Sequence, residues 1–214
     1  VLALFDLDNT LIDRSAGLEN WACGFVRSRS LPQGTESIIC ERLRDRAHPE
    51  DLADLRATLG LCDAPGDLWH EYVDGVARSV RCFPGASEGL EALRAEGWTL
   101  GMATNGAGDI QRAKLAATGL APLFDGICVS GEAGVRKPER GLFEAAAAEC
   151  GVSLGAGGWM VGDNPETDMH GATAAGLRTV WVANDREWIN GPREPDLIVP
   201  GIAEAIEVLL GLRT

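Results

Sequence analysis

Two aspartates, Asp6 and Asp8, stand where an apolar run stops. In extended chain, alternate side chains share a face, so the two carboxylates are expected to point the same way. Carboxylates placed like this repel unless a cation lies between them or one keeps a proton. Three more polar groups stand at comparable places: Thr104 with Asn105, the Arg136-Lys137-Pro138 loop, and Asp163 with Asp168. Asp6, Asp8 and Asp163 offer the hard oxygens that Mg²⁺ takes. Thr104 brings a hydroxyl, and a turn at Asn105-Gly106-Ala107 can aim backbone N–H groups at an anion. Lys137 brings a compact positive charge able to touch a phosphate and a carboxylate together. These are the groups phosphoryl transfer needs, since its catalysis is mostly positioning and charge neutralisation. Bland roles remain open for two of them. Thr104 is suited to cap the following helix, and Asp168 is suited to a first helical turn, where the dipole favours acids.

The elements between these groups explain why they should meet. Val1–Phe5 is a continuous apolar run, which reads as a strand buried on both faces. Further apolar strands are expected at 98–103, 126–129, 159–161, 177–182 and 197–199. Helices are expected around 90–95, 110–117, 142–150, 172–175 and 202–210. Strands alternating with helices imply a parallel sheet. In such sheets ligands sit beyond the carboxyl ends of the strands, where strand order reverses. All four polar groups follow strands, so all are expected on that one edge. Residues 14–80 break the alternation. Leu18, Trp21, Ala22, Phe25 and Val26, then three later groups ending in Leu68, Trp69, Tyr72, Val73 and Val76, recur at helical spacing. They read as four helices inserted after the first strand, with Thr35 capping the second and Pro65 opening the fourth. The domain expectation is therefore a core of 1–13 and 82–214 with a helical insert at 14–81. Hinges are expected near 13–17 and 81–85.

Composition limits what the chain does. Its 214 residues, 45% of them hydrophobic, suffice for a sizeable core. A net charge of −13 argues against a nucleic-acid surface and an acidic membrane. No stretch of about 18 apolar residues suggests a membrane span. Val1 rather than Met opens the chain, which is expected to begin inside a longer one. Of 19 basic residues only Lys114 and Lys137 are lysines, so each is a marked choice. The six cysteines lack zinc-like or C-x-x-C spacing and read as free thiols, several of them packed in the core, in a reducing cytoplasm.

The stretches Phe5-Asp6-Leu7-Asp8-Asn9-Thr10-Leu11, Ala103-Thr104-Asn105, Lys137-Pro138 and Val161-Gly162-Asp163-Asn164-Pro165-Glu166-Thr167-Asp168 resemble, in order and spacing, the four motifs of the haloacid dehalogenase-like hydrolase superfamily. The helical insert resembles the cap of its phosphoglycolate phosphatase-like subfamily. The resemblance implies an α/β fold, a Rossmann-like parallel sheet with an inserted four-helix cap. It implies that Asp6 attacks phosphorus and forms an aspartyl-phosphate. Asp8 then protonates the leaving oxygen and later deprotonates the attacking water. The Asp6 carboxylate, the Asp8 backbone carbonyl and Asp163 hold Mg²⁺, with Asp168 nearby as a ligand through water or a partner of Lys137. Thr104 and Asn105 hold the transferring group, while Lys137 neutralises it and orients Asp6. Asp8 favours phosphoryl transfer over dehalogenation, because an alkoxide leaving group needs a proton and a halide does not. Phosphomutase, 2-haloacid dehalogenase and a non-catalytic phosphometabolite-binding member are the alternatives. The expected partner is a small phosphorylated metabolite, with Arg14 as the cap residue reaching it. A cytoplasmic monomer or homodimer is expected.

Overall fold

The computed structural model describes residues 1–45, 47–189 and 194–212. In chain order the main elements are β1 (Leu2–Phe5), α1 (Arg14–Ser28), α2 (Thr35–Leu43), α3 (Pro49–Leu59), α4 (Pro65–Ser79), α5 (Ala86–Ala95), β2 (Thr99–Thr104), α6 (Gly108–Thr118), β3 (Gly126–Val129), α7 (Ser130–Ala133), α8 (Arg140–Glu149), β4 (Trp159–Gly162), α9 (Gly171–Ala175), β5 (Arg178–Val182), β6 (Leu197–Val199) and α10 (Ile202–Gly211). A π-helical turn, Pro165–His170, precedes α9. The strands form one sheet in the order β3-β2-β1-β4-β5-β6, and every pair is parallel. Strand order reverses on either side of β1, so a crevice is expected beyond the carboxyl ends of β1 and β4.

Alternation along β1 places its side chains on two apolar faces. Leu2 and Leu4 join a cluster with Leu142, Phe143, Met160 and Ala172, contributed by α8, β4 and α9. On the other parity, the Phe5 ring meets Phe124 edge to face, 6.2 Å between centroids. This double burial is why all four residues of β1 are apolar.

The chain divides into two compact units. One comprises Val1–Ile12, Cys82–Asn105 and the chain from Gly119 onward, and holds the sheet. The other comprises Asp13–Arg81 and Gly106–Thr118. The four inserted helices form where the sequence spacing put them. The placement of α6 differs from the sequence expectation, which left 106–118 with the sheet. Helix α6 packs along α4, and the buried Trp69 donates its indole N–H to Asp109 Oδ2 at 2.5 Å. Trp69 also stacks on Tyr72, and Tyr72 meets Trp21 edge to face. A Cβ at Gly75 would lie 2.2 Å from the Trp21 ring, so glycine lets α1 and α4 approach this closely. Thr35 is the first helical residue of α2, and the cap position belongs to Gly34 at φ 90°. All six cysteines are free. Only Cys128 is buried, whereas Cys23 and Cys62 lie exposed, which corrects the expectation of core packing for those two. Among the described residues no helix is long and apolar enough to cross a membrane.

Candidate active site

Asp6 directly follows β1, and its N–H donates to the Val161 carbonyl at 2.9 Å, extending the pairing with β4. Asp163 directly follows β4. Two carboxylates thus leave adjacent parallel strands at the same end of the sheet. Asp168 arrives from the π-helical turn. Asn164 caps that turn, its side-chain oxygen accepting the N–H groups of Glu166 and Thr167 at 3.0 Å each. Asp168 Oδ2 accepts the Asn164 N–H at 3.0 Å. A Cβ on residue 162 would sit 2.4 Å from that same oxygen. Gly162 is therefore what lets Asp168 lie against the strand end.

Lys137 joins these acids. Its Nζ lies 2.6 Å from Asp6 Oδ1 and 2.7 Å from Asp168 Oδ1, with the lysine side chain 1% exposed. Asn105 sets the loop that carries it. The Asn105 Oδ1 accepts the Lys137 N–H at 2.9 Å, and Nδ2 donates to the Lys137 carbonyl at 3.0 Å. The side chain expected to hold substrate is thus engaged as a strut on both sides of the lysine. Gly171 opens room for the same loop, since a Cβ there would lie 2.7 Å from Pro138 Cα.

The crowding shows in the proton affinities. Burial lifts the Asp163 carboxyl to about 7, with Asp168 adding to the effect and Arg186 and Lys137 opposing it. Burial also moves Asp6 well above the carboxylate range, against the pull of Lys137. For Lys137, burial disfavours the ammonium, but the facing Asp168 and Asp6 outweigh it and raise its pKa. The native chain therefore keeps a proton on Asp163 at pH values where the unfolded chain has lost it. The resulting stabilisation is complete below about pH 4 and is lost as pH rises through 7. The melting temperature of the metal-free chain is expected to fall between about pH 5 and about pH 8. Calorimetry in a chelator measures it, and Asp163→Asn should show a shallower fall.

Asp6, Asp163 and Asp168 each offer an oxygen within 4.8 Å of the others. Oxygens around one Mg²⁺ at its usual bond length lie roughly 3 to 4 Å apart. The donor set therefore fits a hard divalent cation after a small contraction. Asp168 already faces Lys137 and the Asn164 N–H, which suits it to a supporting place. The Asp8 carboxylate is not in this set, and the role expected for Asp8 toward the ion runs through its carbonyl. Thr104 ends β2 and is fully buried.

Arg14 has a different setting from the one expected. It is buried in the helical unit, and its guanidinium donates to the carbonyls of Leu43 at 2.7 Å and Arg44 at 2.5 Å. It satisfies acceptors that the end of α2 leaves open. Arg29 pairs with Asp63 and Glu71 and covers the Phe25 ring at 4.0 Å. His170 is half exposed, 3.7 Å from Glu166.

Sequence reasoning passed over the residues after β5. Arg186 Nη2 lies 3.0 Å from Asp163 Oδ2, and the Trp181 indole N–H donates to the Asp163 carbonyl at 2.8 Å. The signal was present: Asn184-Asp185 follows an apolar strand, as the other four groups do.

The fold is α/β, with three carboxylates and a buried lysine at the carboxyl ends of the central strands of a parallel sheet. The chain belongs to the haloacid dehalogenase-like hydrolase family, whose profile matches residues 3–182. Phosphoserine phosphatase of Thermus thermophilus is 40% identical over 127 residues, 59% of this chain and 51% of that protein. Phosphoglycolate phosphatase of Cereibacter sphaeroides is 38% identical over 187 residues, 82% of this chain and 81% of that one. The chain spans about half the length of several curated relatives it matches. Among solved structures, a phosphatase of the same superfamily from Thermococcus onnurineus superposes with a TM-score of 0.70 at 24% identity, over 97% of each chain.

Proposed function

We propose that this chain hydrolyses a small phosphomonoester through an aspartyl-phosphate on Asp6. One observation carries the reading: the Lys137 ammonium is buried between Asp6 and Asp168, with Asp163 alongside. This arrangement holds an acid ready to attack and a cation ready to meet a phosphoryl group. Asp6 attacks phosphorus as Asp8 gives its proton to the leaving oxygen. Asp8 then takes a proton from water, which attacks the phosphoryl group, releases phosphate and restores Asp6. Thr104 and the backbone beyond Asn105 bind the phosphoryl oxygens, and Lys137 balances their charge. Mg²⁺, held by Asp6, Asp163 and the Asp8 carbonyl, would neutralise the same oxygens when bound. The helical insert at 14–81 serves as the cap that selects the leaving group, and Arg14 shapes it from within. Three relatives support the reading by their names: phosphoserine phosphatase, phosphoglycolate phosphatase and pyrimidine 5′-nucleotidase.

The test is phosphate release from an aryl phosphate and from a panel of phosphorylated metabolites. Release that depends on Mg²⁺ and falls at least about a hundredfold in EDTA is the expected result. Halide release from a 2-haloacid, or isomerised sugar phosphate without free phosphate, would overturn it.

A further inference from the structure

Four described residues other than glycine have positive φ, and three of them belong to the loops around the carboxylates. They are Asn9 at 57°, Asn184 at 47° and Asp185 at 61°. Left-handed backbone is unfavourable for L-residues, and Asn and Asp bear it best. Such strain persists where neighbouring contacts over-determine it, and it gathers at functional sites. Two such residues in succession turn the chain after β5. The turn is pinned to the strand beside it: the Ala183 N–H donates to the Val199 carbonyl and the Asn184 N–H to the Pro200 carbonyl, both at 2.9 Å.

The turn delivers two side chains. Asn184 Nδ2 donates to the Asn9 carbonyl at 2.6 Å, one residue past Asp8. Arg186 reaches the other ligand loop. Its Nη2 lies 3.0 Å from Asp163 Oδ2 and 2.8 Å from the Asp163 carbonyl. Its Nε donates to the Ala183 carbonyl at 3.0 Å, and its guanidinium carbon lies 5.6 Å from the Trp181 ring centroid. The arginine is thus fixed at several points, although its side chain is 46% exposed.

We propose that the turn at residues 183–186, just after β5, is a positioning element of the metal centre, with Arg186 fixing the Asp163 carboxylate through one oxygen and leaving the other for the divalent cation. A carboxylate held by a partner has already lost the rotamer freedom that a free one surrenders on binding. A planar guanidinium suits this task because its fork is fixed. The charges agree. Once a cation displaces their protons, Asp6, Asp163 and Asp168 supply three negative charges against Lys137 and Arg186. A divalent cation turns the remaining single negative charge into a single positive one, which suits a dianionic phosphoryl group. The inference rests on the reading of Asp163 as a metal ligand.

Mn²⁺ titration followed by electron paramagnetic resonance, without substrate, tests it on wild type, Arg186→Ala and Arg186→Lys. Arg186→Ala should bind Mn²⁺ about tenfold more weakly or worse. Arg186→Lys, which keeps the charge and loses the fork, should fall between. Melting of the metal-free variants should stay close to wild type, because the side chain is half exposed. Unchanged or tighter Mn²⁺ binding by Arg186→Ala overturns the proposal. A wild type that binds no Mn²⁺ defeats the metal reading beneath it, a separate failure seen in a separate sample.

Discussion

Asp6→Asn is expected to lower turnover by a factor on the order of 10⁴ or more, the scale seen when a nucleophile is removed from a unit that acts together. The amide keeps the shape of the carboxylate and still accepts a hydrogen bond from Lys137, so the loop geometry should survive. What it lacks is the negative charge that makes a carboxylate oxygen nucleophilic toward phosphorus. Two readouts separate this loss from a collapsed site. Intact-mass measurement during turnover should show a species heavier by one phosphoryl group in wild type and none in the variant. Metal-free melting at pH 8 should be equal to or above that of wild type. Asp6 sits with Asp163 and Asp168 around one lysine, and removing one of three crowded acids relieves repulsion that function requires and stability does not. Wild-type turnover in Asp6→Asn would remove the covalent mechanism altogether.

Some of this site could be read from residue order alone, and some could not. Asp6, Asp163 and Lys137 each follow a strand or the loop after one, and a parallel sheet brings such ends together whatever the loops do. The scarcity of lysine marked Lys137, and it marked Lys114 equally; both prove to be 1% exposed. The function of Asn105 was less legible. Its side chain binds the backbone of a residue 32 positions away, and no local pattern encodes such a partner. Arg14 misled for a related reason: a basic residue at a domain crossing looks the same whether it meets substrate or the carbonyls of Leu43 and Arg44. The stretch 110–117 reads as a helix without saying which elements it packs against. Arg186 was missed because Asn184-Asp185, although it follows an apolar strand, reads as an ordinary turn; the positive φ values and the 3.0 Å approach to Asp163 show what the turn delivers.

Lys137→Met should cost about 3 to 5 kcal/mol of stability near pH 8, the usual consequence of removing one member of a buried charge pair. Methionine fills much of the same buried space with apolar atoms, so lost volume contributes little. The loss comes from Asp6 and Asp168, which would keep their burial without their counter-charge. Asp6, whose carboxyl burial already raises, escapes part of the penalty by keeping a proton. The sign of the pH dependence follows. Without the ammonium, which pulls the Asp6 carboxyl down in wild type, Asp6 holds its proton to higher pH in the variant, so the variant's stability falls more steeply as pH rises. The gap in melting temperature between the two proteins should be small near pH 5 and wide near pH 8. Adding Asp168→Asn should recover part of the gap, because one stranded acid is then removed; independent contributions would instead add. Turnover should drop roughly 10²- to 10³-fold, the scale of losing one preorganised charge at the transferring group, and it should not return in the double variant. A gap that stays constant with pH would show that Lys137 contributes packing rather than charge, and the reading of Lys137 as counter-ion to Asp6 would fail with it.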